Sequence, residues 1–263
     1  MISAGHLHKM KTQLADQIQY ELNLENHLLL NDHIGQKLRL KWTERINCQK
    51  CQKQTKKSFG EGFCYSCFIS VPEAAECILR PELCRAHLGE GRDPEWEERN
   101  HNQPHVVYLA ASSAVKVGIT RATQVPTRWI DQGASAAIRL AETENRYEAG
   151  RIEVELKSLF TDKTSWQKML KNDIDESIDL EEEKWSLEDQ MPADIIDFFS
   201  ENDEIITLNY PVLQYPDKVK SLSLDKVLEI EGTLLGIKGQ YLLFDDNRVF
   251  NVRKHTGYHV EIH

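Results

Sequence analysis

This chain is short of three things, and each shortage narrows the problem. No apolar run approaches the roughly 20 residues that a membrane-spanning helix requires, and residues 1–31 lack the pattern of a secretory signal. A soluble, cytoplasmic protein with no membrane partner is the expectation. Cysteine is limited to six of 263 residues, and without a secretory signal these favour metal binding in a reducing compartment over disulfides. Positive charge is also in deficit, with 32 Lys and Arg against 42 Asp and Glu for a formal net charge of −10. That excludes a protein whose whole surface coats nucleic acid.

The charge is unevenly spread. Counting Lys and Arg against Asp and Glu, residues 161–210 carry −11 while residues 1–67 carry +4. Local basic surface therefore persists around Arg45, Lys50, Lys53, Lys56 and Lys57. The acidic stretch Asp173 to Asp189, containing DESIDLEEEKW, reads as a solvated loop or helix face. The sharper alternative is a strip that covers a basic groove or docks a basic protein partner. On either side of it Trp166, Met169 and Leu170, and then Ile195, Ile196, Phe198 and Phe199, read as core-facing.

Four of the six cysteines have metal-ligand spacing. Cys48-x2-Cys51 and Cys64-x2-Cys67, separated by twelve residues, match a four-thiolate structural zinc site. The intervening QKQTKKSFGEGF is too polar to build its own core, so a metal would supply the folding energy. Cys77-x6-Cys84-x2-His87 offers donors for a second zinc, completed by His101 or His105; the alternative is buried apolar cysteines beside surface histidines.

Residues 105–129, HVVYLAASSAVKVGITRATQVPTRW, read as a hairpin followed by a helix. Alternation puts Val107, Leu109, Val115, Val117 and Ile119 on an apolar face. Tyr108, Lys116 and Thr120 then share the other face, where Gly118 lets another group come close. Pro126 and Gly133 bracket a short helix with Arg128 in its first turn. A strand over 137–141 leads to a second helix starting near Asn145, with Ala149, Ile152, Leu156, Leu159 and Phe160 on one stripe. Glu153 lies at the margin of that stripe and must find a cation or donors, whereas Glu148 at the opposite edge is less constrained.

This order of hairpin, Arg-bearing helix, strand and Glu-bearing helix resembles the GIY-YIG nuclease module over roughly 55 residues. Val106-Val107-Tyr108 stands for the first triplet and Lys116-Val117-Gly118 for the second. The resemblance implies water activation by Tyr108, a phosphate clamp at Arg128, and magnesium or manganese on Glu153. Lys116 replaces the second triplet's tyrosine; lysine binds phosphate as a point charge but does not replace a phenol in activating water. The wider pattern of zinc ribbon, this module and the run GIKGQYLLFDD is similar to a family of prokaryotic proteins of uncharacterised function.

The two ends share an order of residues. Gln19-Tyr20, Asn31 and Gly35 recur as Gln240-Tyr241, Asn251 and Gly257. The expectation is that the ends pair as equivalent halves of one small β-barrel or sandwich, with Tyr241, Arg253, Lys254, His255 and Tyr258 exposed for base stacking and phosphate contact. The fold class read from the chain is α+β: a split β-module from 1–45 with 208–263, a zinc-binding region over 46–103, a GIY-YIG-like module of small mixed sheet and helices over 104–170, and an acidic helical insert over 171–207. The leading function is a metal-dependent nucleic-acid endonuclease using Tyr108, Lys116, Arg128 and Glu153, on DNA or RNA. The alternative is a zinc-ribbon module that binds nucleic acid without cutting it.

Overall fold

The computed structural model describes residues 1–157, 159–160, 165–188 and 190–263. The fold is α+β, and the chain divides into two compact units. One contains Met1–Ile69, Ile130–Gly133 and Leu208–His263; the other contains Ser70–Trp129 and Ala134–Thr207.

The first unit carries a seven-stranded sheet in the order Ser3–His6, Tyr258–Ile262, Lys37–Ile46, Glu229–Lys238, Tyr241–Phe244, Arg248–Asn251, Lys220–Leu222. A three-stranded sheet of Lys11–Gln13, Gln19–Asn23 and His27–Leu29 accompanies it. Period-two alternation buries Leu38 and Leu40 of one long strand and Ile230 and Leu234 of its neighbour.

The repeat at the chain's ends is visible as repeated local structure. In one half the strands Gln19–Asn23 and His27–Leu29 are followed by a 3-10 turn at Leu30–His33, Gly35 and the strand Lys37–Ile46. In the other, Tyr241–Phe244 and Arg248–Asn251 are followed by a turn at Arg253–His255, Gly257 and Tyr258–Ile262. Both glycines occupy the left-handed region, at φ 84° and 90°, which side-chain-bearing residues avoid. The final strands of the halves pair antiparallel, Leu40 with Ile262 and Trp42 with Val260. Each also receives the opening strand of the other half, so Gly5 faces Val260 while Gly232 faces Leu38. The halves are thus interleaved, and Ser3 lies opposite Ile262.

Two residues expected as an exposed platform are buried. His255 stacks on Phe250 and accepts the Leu224 amide at Nε2 (3.2 Å), while the Tyr258 hydroxyl donates to Asp225 (2.6 Å). Both rings close the sheet's own core, because their polar atoms find partners inside the unit. Arg253 is held by Glu61 at 2.7 Å, and Lys254 is exposed.

In the second unit the strands run Val115–Arg121, His105–Ala111, Ala136–Thr143, Ile206–Thr207. The hairpin register pairs Tyr108 with Gly118, Val106 with Thr120 and Ala110 with Lys116, the shared face that alternation predicts. The opposite face, Val107, Leu109 and Ala111 with Ile138 and Leu140, packs against Ala149, Ile152 and Leu156 of the helix Arg146–Lys157. Leu180 and Leu187 of the helix Leu180–Glu188 join the same core, so the acidic stretch is anchored by its apolar side while Glu181 and Glu182 face solvent. Asp179 caps that helix, accepting the amides of Glu181 and Glu182 at 3.0 and 3.1 Å. Asp189, the end of the acidic stretch, lies outside the described residues.

Two expected core residues are outside the core. Leu159 is 45% exposed and follows the end of the Arg146–Lys157 helix. Trp166 is 42% exposed and opens the short helix Trp166–Lys171, whose buried positions are Met169 and Leu170.

Candidate metal centres

The CxxC pairs converge. One donor atom from each of Cys48, Cys51, Cys64 and Cys67 lies within 4.8 Å of the others, and the Cys51 and Cys64 sulfurs are 3.8 Å apart. A tetrahedron with metal–sulfur bonds of about 2.3 Å has an edge of about 3.8 Å, so this spacing fits zinc. The first knuckle is a tight turn in which the Gln52 amide donates to Cys48 O (2.9 Å). The second leads into the helix Tyr65–Ser70. Burial opposes ionisation of Cys48, but amides of Cys51, Cys64 and Lys50 bring its thiol down to about 6; burial and the neighbouring sulfurs push Cys67 up to about 12. A divalent cation among them would favour the thiolate form of all four. The site could hold a structural zinc.

A second cluster lies in the other unit. Its donors are Cys77, Cys84, Glu97 and His101, again within 4.8 Å of one another. His101 Nδ1 is 3.6 Å from the Cys84 sulfur, 3.9 Å from the Cys77 sulfur and 2.5 Å from Glu97 Oε2. The fourth donor is therefore Glu97, and His87 is not part of the set. His87 is exposed and stacks on Tyr147, with ring centroids 4.6 Å apart. His105 is elsewhere too: its Nδ1 donates to Gln103 O at 2.6 Å, and burial lowers its imidazole to about 4. Sequence spacing missed Glu97 because carboxylates are common in PEWEERN; one helical turn from Glu97 to His101 was the available signal.

The hairpin's polar face is partly sealed. Tyr108 is fully buried, and its ring lies over Gly118, where an added Cβ would come within 2.6 Å of the hydroxyl. On its other side Tyr108 meets Trp129 at 5.7 Å between ring centroids, tilted 60°. The group that Gly118 admits is thus the tyrosine itself. Thr120 is buried, while Lys116 and Arg128 are half-buried.

Glu153 is buried at the margin of the helix Arg146–Lys157, with Lys157 Nζ 3.3 Å from its carboxylate. That helix covers the Val107 face of the sheet, and Tyr108 points to the opposite face. Glu148 is half-buried at the start of the same helix, where its amide donates to the Asn145 side chain (3.0 Å).

Arg146 is the charged residue that sequence reading overlooked. Its guanidinium donates to Cys77 O and Ile78 O, both at 3.0 Å. Burial lowers its proton affinity, attraction to Cys77, Cys84 and Glu153 raises it, and repulsion from Arg128 lowers it. Arg146 is held at the rim of the second cluster by two backbone carbonyls. Its partners come from residues nearly seventy positions earlier, and nothing local in the sequence announces them.

No curated protein and no solved structure matches the chain. The family described as "Protein of unknown function (DUF2797)" matches residues 35–260, which is most of the sequence, and the chain belongs to that family.

Proposed function

We propose that this protein binds nucleic acid without cutting it, using the zinc ribbon as its main contact surface. The observation that carries this reading is the composition of the ribbon's exterior. Arg45, Lys53, Lys56 and Lys57 are exposed, and Tyr65 is 60% exposed beside them in sequence. Lys57 sits 5.4 Å over the Phe59 ring, which contacts Tyr65 edge-on at 5.5 Å. Residues 45–67 contain five Lys and Arg against one acid, Glu61. A zinc with four thiolates carries −2, so the loaded ribbon keeps a net charge of about +2. Cations with an accessible aromatic suit a phosphate backbone and an unstacked base.

The buried Tyr108 supports binding over hydrolysis, because a solvent-derived nucleophile has no access to a fully buried phenol. One observation favours hydrolysis as a second reading: the hairpin register puts Lys116 on the Tyr108 face, and Arg128 lies in the short helix Thr127–Asp131 whose Trp129 meets that tyrosine. In that reading Arg128 and Lys116 bind the phosphate and Glu153 holds magnesium or manganese.

Purified protein should be titrated against single-stranded, duplex and structured DNA and RNA, with cleavage scored in magnesium and in manganese. Saturable binding without cleavage is the expected result. Cleavage abolished by Arg128→Ala or Glu153→Ala would establish the second reading, and absence of binding to every substrate would reject both.

A further inference from the structure

The cluster in the second unit has a role separable from nucleic-acid binding. We propose that Cys77, Cys84, Glu97 and His101 bind a second zinc, distinct from the ribbon, which pins the segment 76–101 to the first turns of the helix Arg146–Lys157 and fixes Arg146.

Donor geometry comes first. With metal–sulfur and metal–nitrogen bonds of about 2.3 and 2.0–2.1 Å, tetrahedral S···N edges are about 3.5–3.6 Å; the Cys84–His101 separation is 3.6 Å. Glu97 and His101 Nδ1 are closer, at 2.5 Å, in a direct hydrogen bond. Zinc would take the place of the hydrogen between them, the imidazole keeping its proton on Nε2, and would displace the two thiol protons, with Glu97 and His101 moving apart by about an ångström or less. Cys84, Glu97 and His101 are all buried, and without a cation two thiols and a carboxylate at such a position are a poor core.

Charge supplies the second line. Zinc with two thiolates, one carboxylate and a neutral imidazole carries a net −1. Arg146 is the matching cation: its hydrogen bonds go to Cys77 O and Ile78 O at the rim of the cluster. The same segment touches the helix at other points. His101 O accepts the Arg146 amide (2.8 Å). Gly150 has no side chain where a Cβ would collide with Glu82 N and lie 2.5 Å from Pro81 C, so the 3-10 turn Pro81–Leu83 can lie directly on the helix backbone. Segment 71–93 is otherwise built of short 3-10 turns with little regular structure, the kind of chain that a metal commonly organises.

The test uses the full-length chain. Metal analysis should give two zinc ions per wild-type chain and one in Cys84→Ser or Glu97→Ala, while His87→Ala keeps two. Because a variant could misfold, the wild-type protein is also loaded with cadmium-113. Two resonances are expected, the second displaced toward the range of mixed sulfur, nitrogen and oxygen donors. Arg146→Ala should keep both ions but weaken the second by about 10- to 100-fold, as loss of an outer-shell partner does. Stepwise chelation of the second ion should speed amide exchange over 146–157 ahead of the terminal sheet. One ion per chain, a single cadmium environment, loss of the ion on His87→Ala but not Glu97→Ala, or unchanged exchange in the helix would overturn the proposal. None of these readouts depends on nucleic-acid binding.

Discussion

Replacing Gly118 with alanine should destabilise the hairpin through one identifiable clash. The new Cβ would lie 2.6 Å from the Tyr108 hydroxyl, 2.7 Å from Cζ and 3.1 Å from Cε2. The tyrosine cannot swing away, because it is fully buried and braced by Trp129, itself 1% exposed. Overpacking of this kind costs about 1–3 kcal/mol, partly offset by the roughly 0.4–1 kcal/mol that removing a glycine takes from the unfolded chain's entropy. A net loss of about 1–2 kcal/mol should lower the melting temperature by roughly 2–8 °C in a chain of this size. Thermal melts by circular dichroism and urea titrations would measure it. Tyr108→Phe provides the control: it removes the closest atom, so Gly118→Ala should be cheaper in that background by about 0.5 kcal/mol or more. A Gly118→Ala protein as stable as wild type, or an identical penalty in both backgrounds, would refute the placement of Tyr108 over Gly118.

The triple substitution of Lys53, Lys56 and Lys57 by alanine should leave zinc content unchanged and weaken nucleic-acid binding; the slope of log K against log salt should shrink by up to about 2–3, at roughly 0.7–0.9 for each phosphate no longer neutralised. His105 gives a pH dependence of defined sign. Its folded pKa of about 4 lies below the ordinary 6.5, so below pH 6.5 the unfolded chain takes up the proton first and stability falls with acidification down to about pH 4, by roughly 3 kcal/mol from this group. His105→Leu should flatten that part of the urea-stability profile, and an unchanged profile would refute the assignment. Lys184→Ala removes a fully buried ammonium that donates to Asp203 (2.7 Å) and Asn202 O (2.9 Å) and lies over Phe199; a loss of about 3 kcal/mol is expected by denaturant titration.

Local pattern carried the parts of this protein whose forces are local. The CxxC spacing specifies four converging sulfurs, since two-residue turns fix their own geometry. Alternation along residues 105–121 specifies which side chains share a face, because a strand's period is two whatever it packs against. The helix 146–157 was readable from its apolar stripe, and the repeated local order of strands, turn and glycine at the two ends from the spacing of Gln-Tyr, Asn and Gly; that each half lends its opening strand to the other was not.

Tertiary structure decided everything that depends on partners distant in the chain. Whether Tyr108 faces water or Trp129 is a matter of what covers the sheet, and periodicity is silent on that. Glu97 replaces His87 in the second cluster because the 3-10 turns after Cys77 bring a helix face, not the nearer histidine, to the sulfurs. Arg146 acquires its place from carbonyls at 77 and 78 that no local pattern links to it. The sequence determines its turns and faces through short-range sterics and spacing. Which of those faces are buried, and which charges meet, is settled only when segments far apart in the chain pack and remove water from between them.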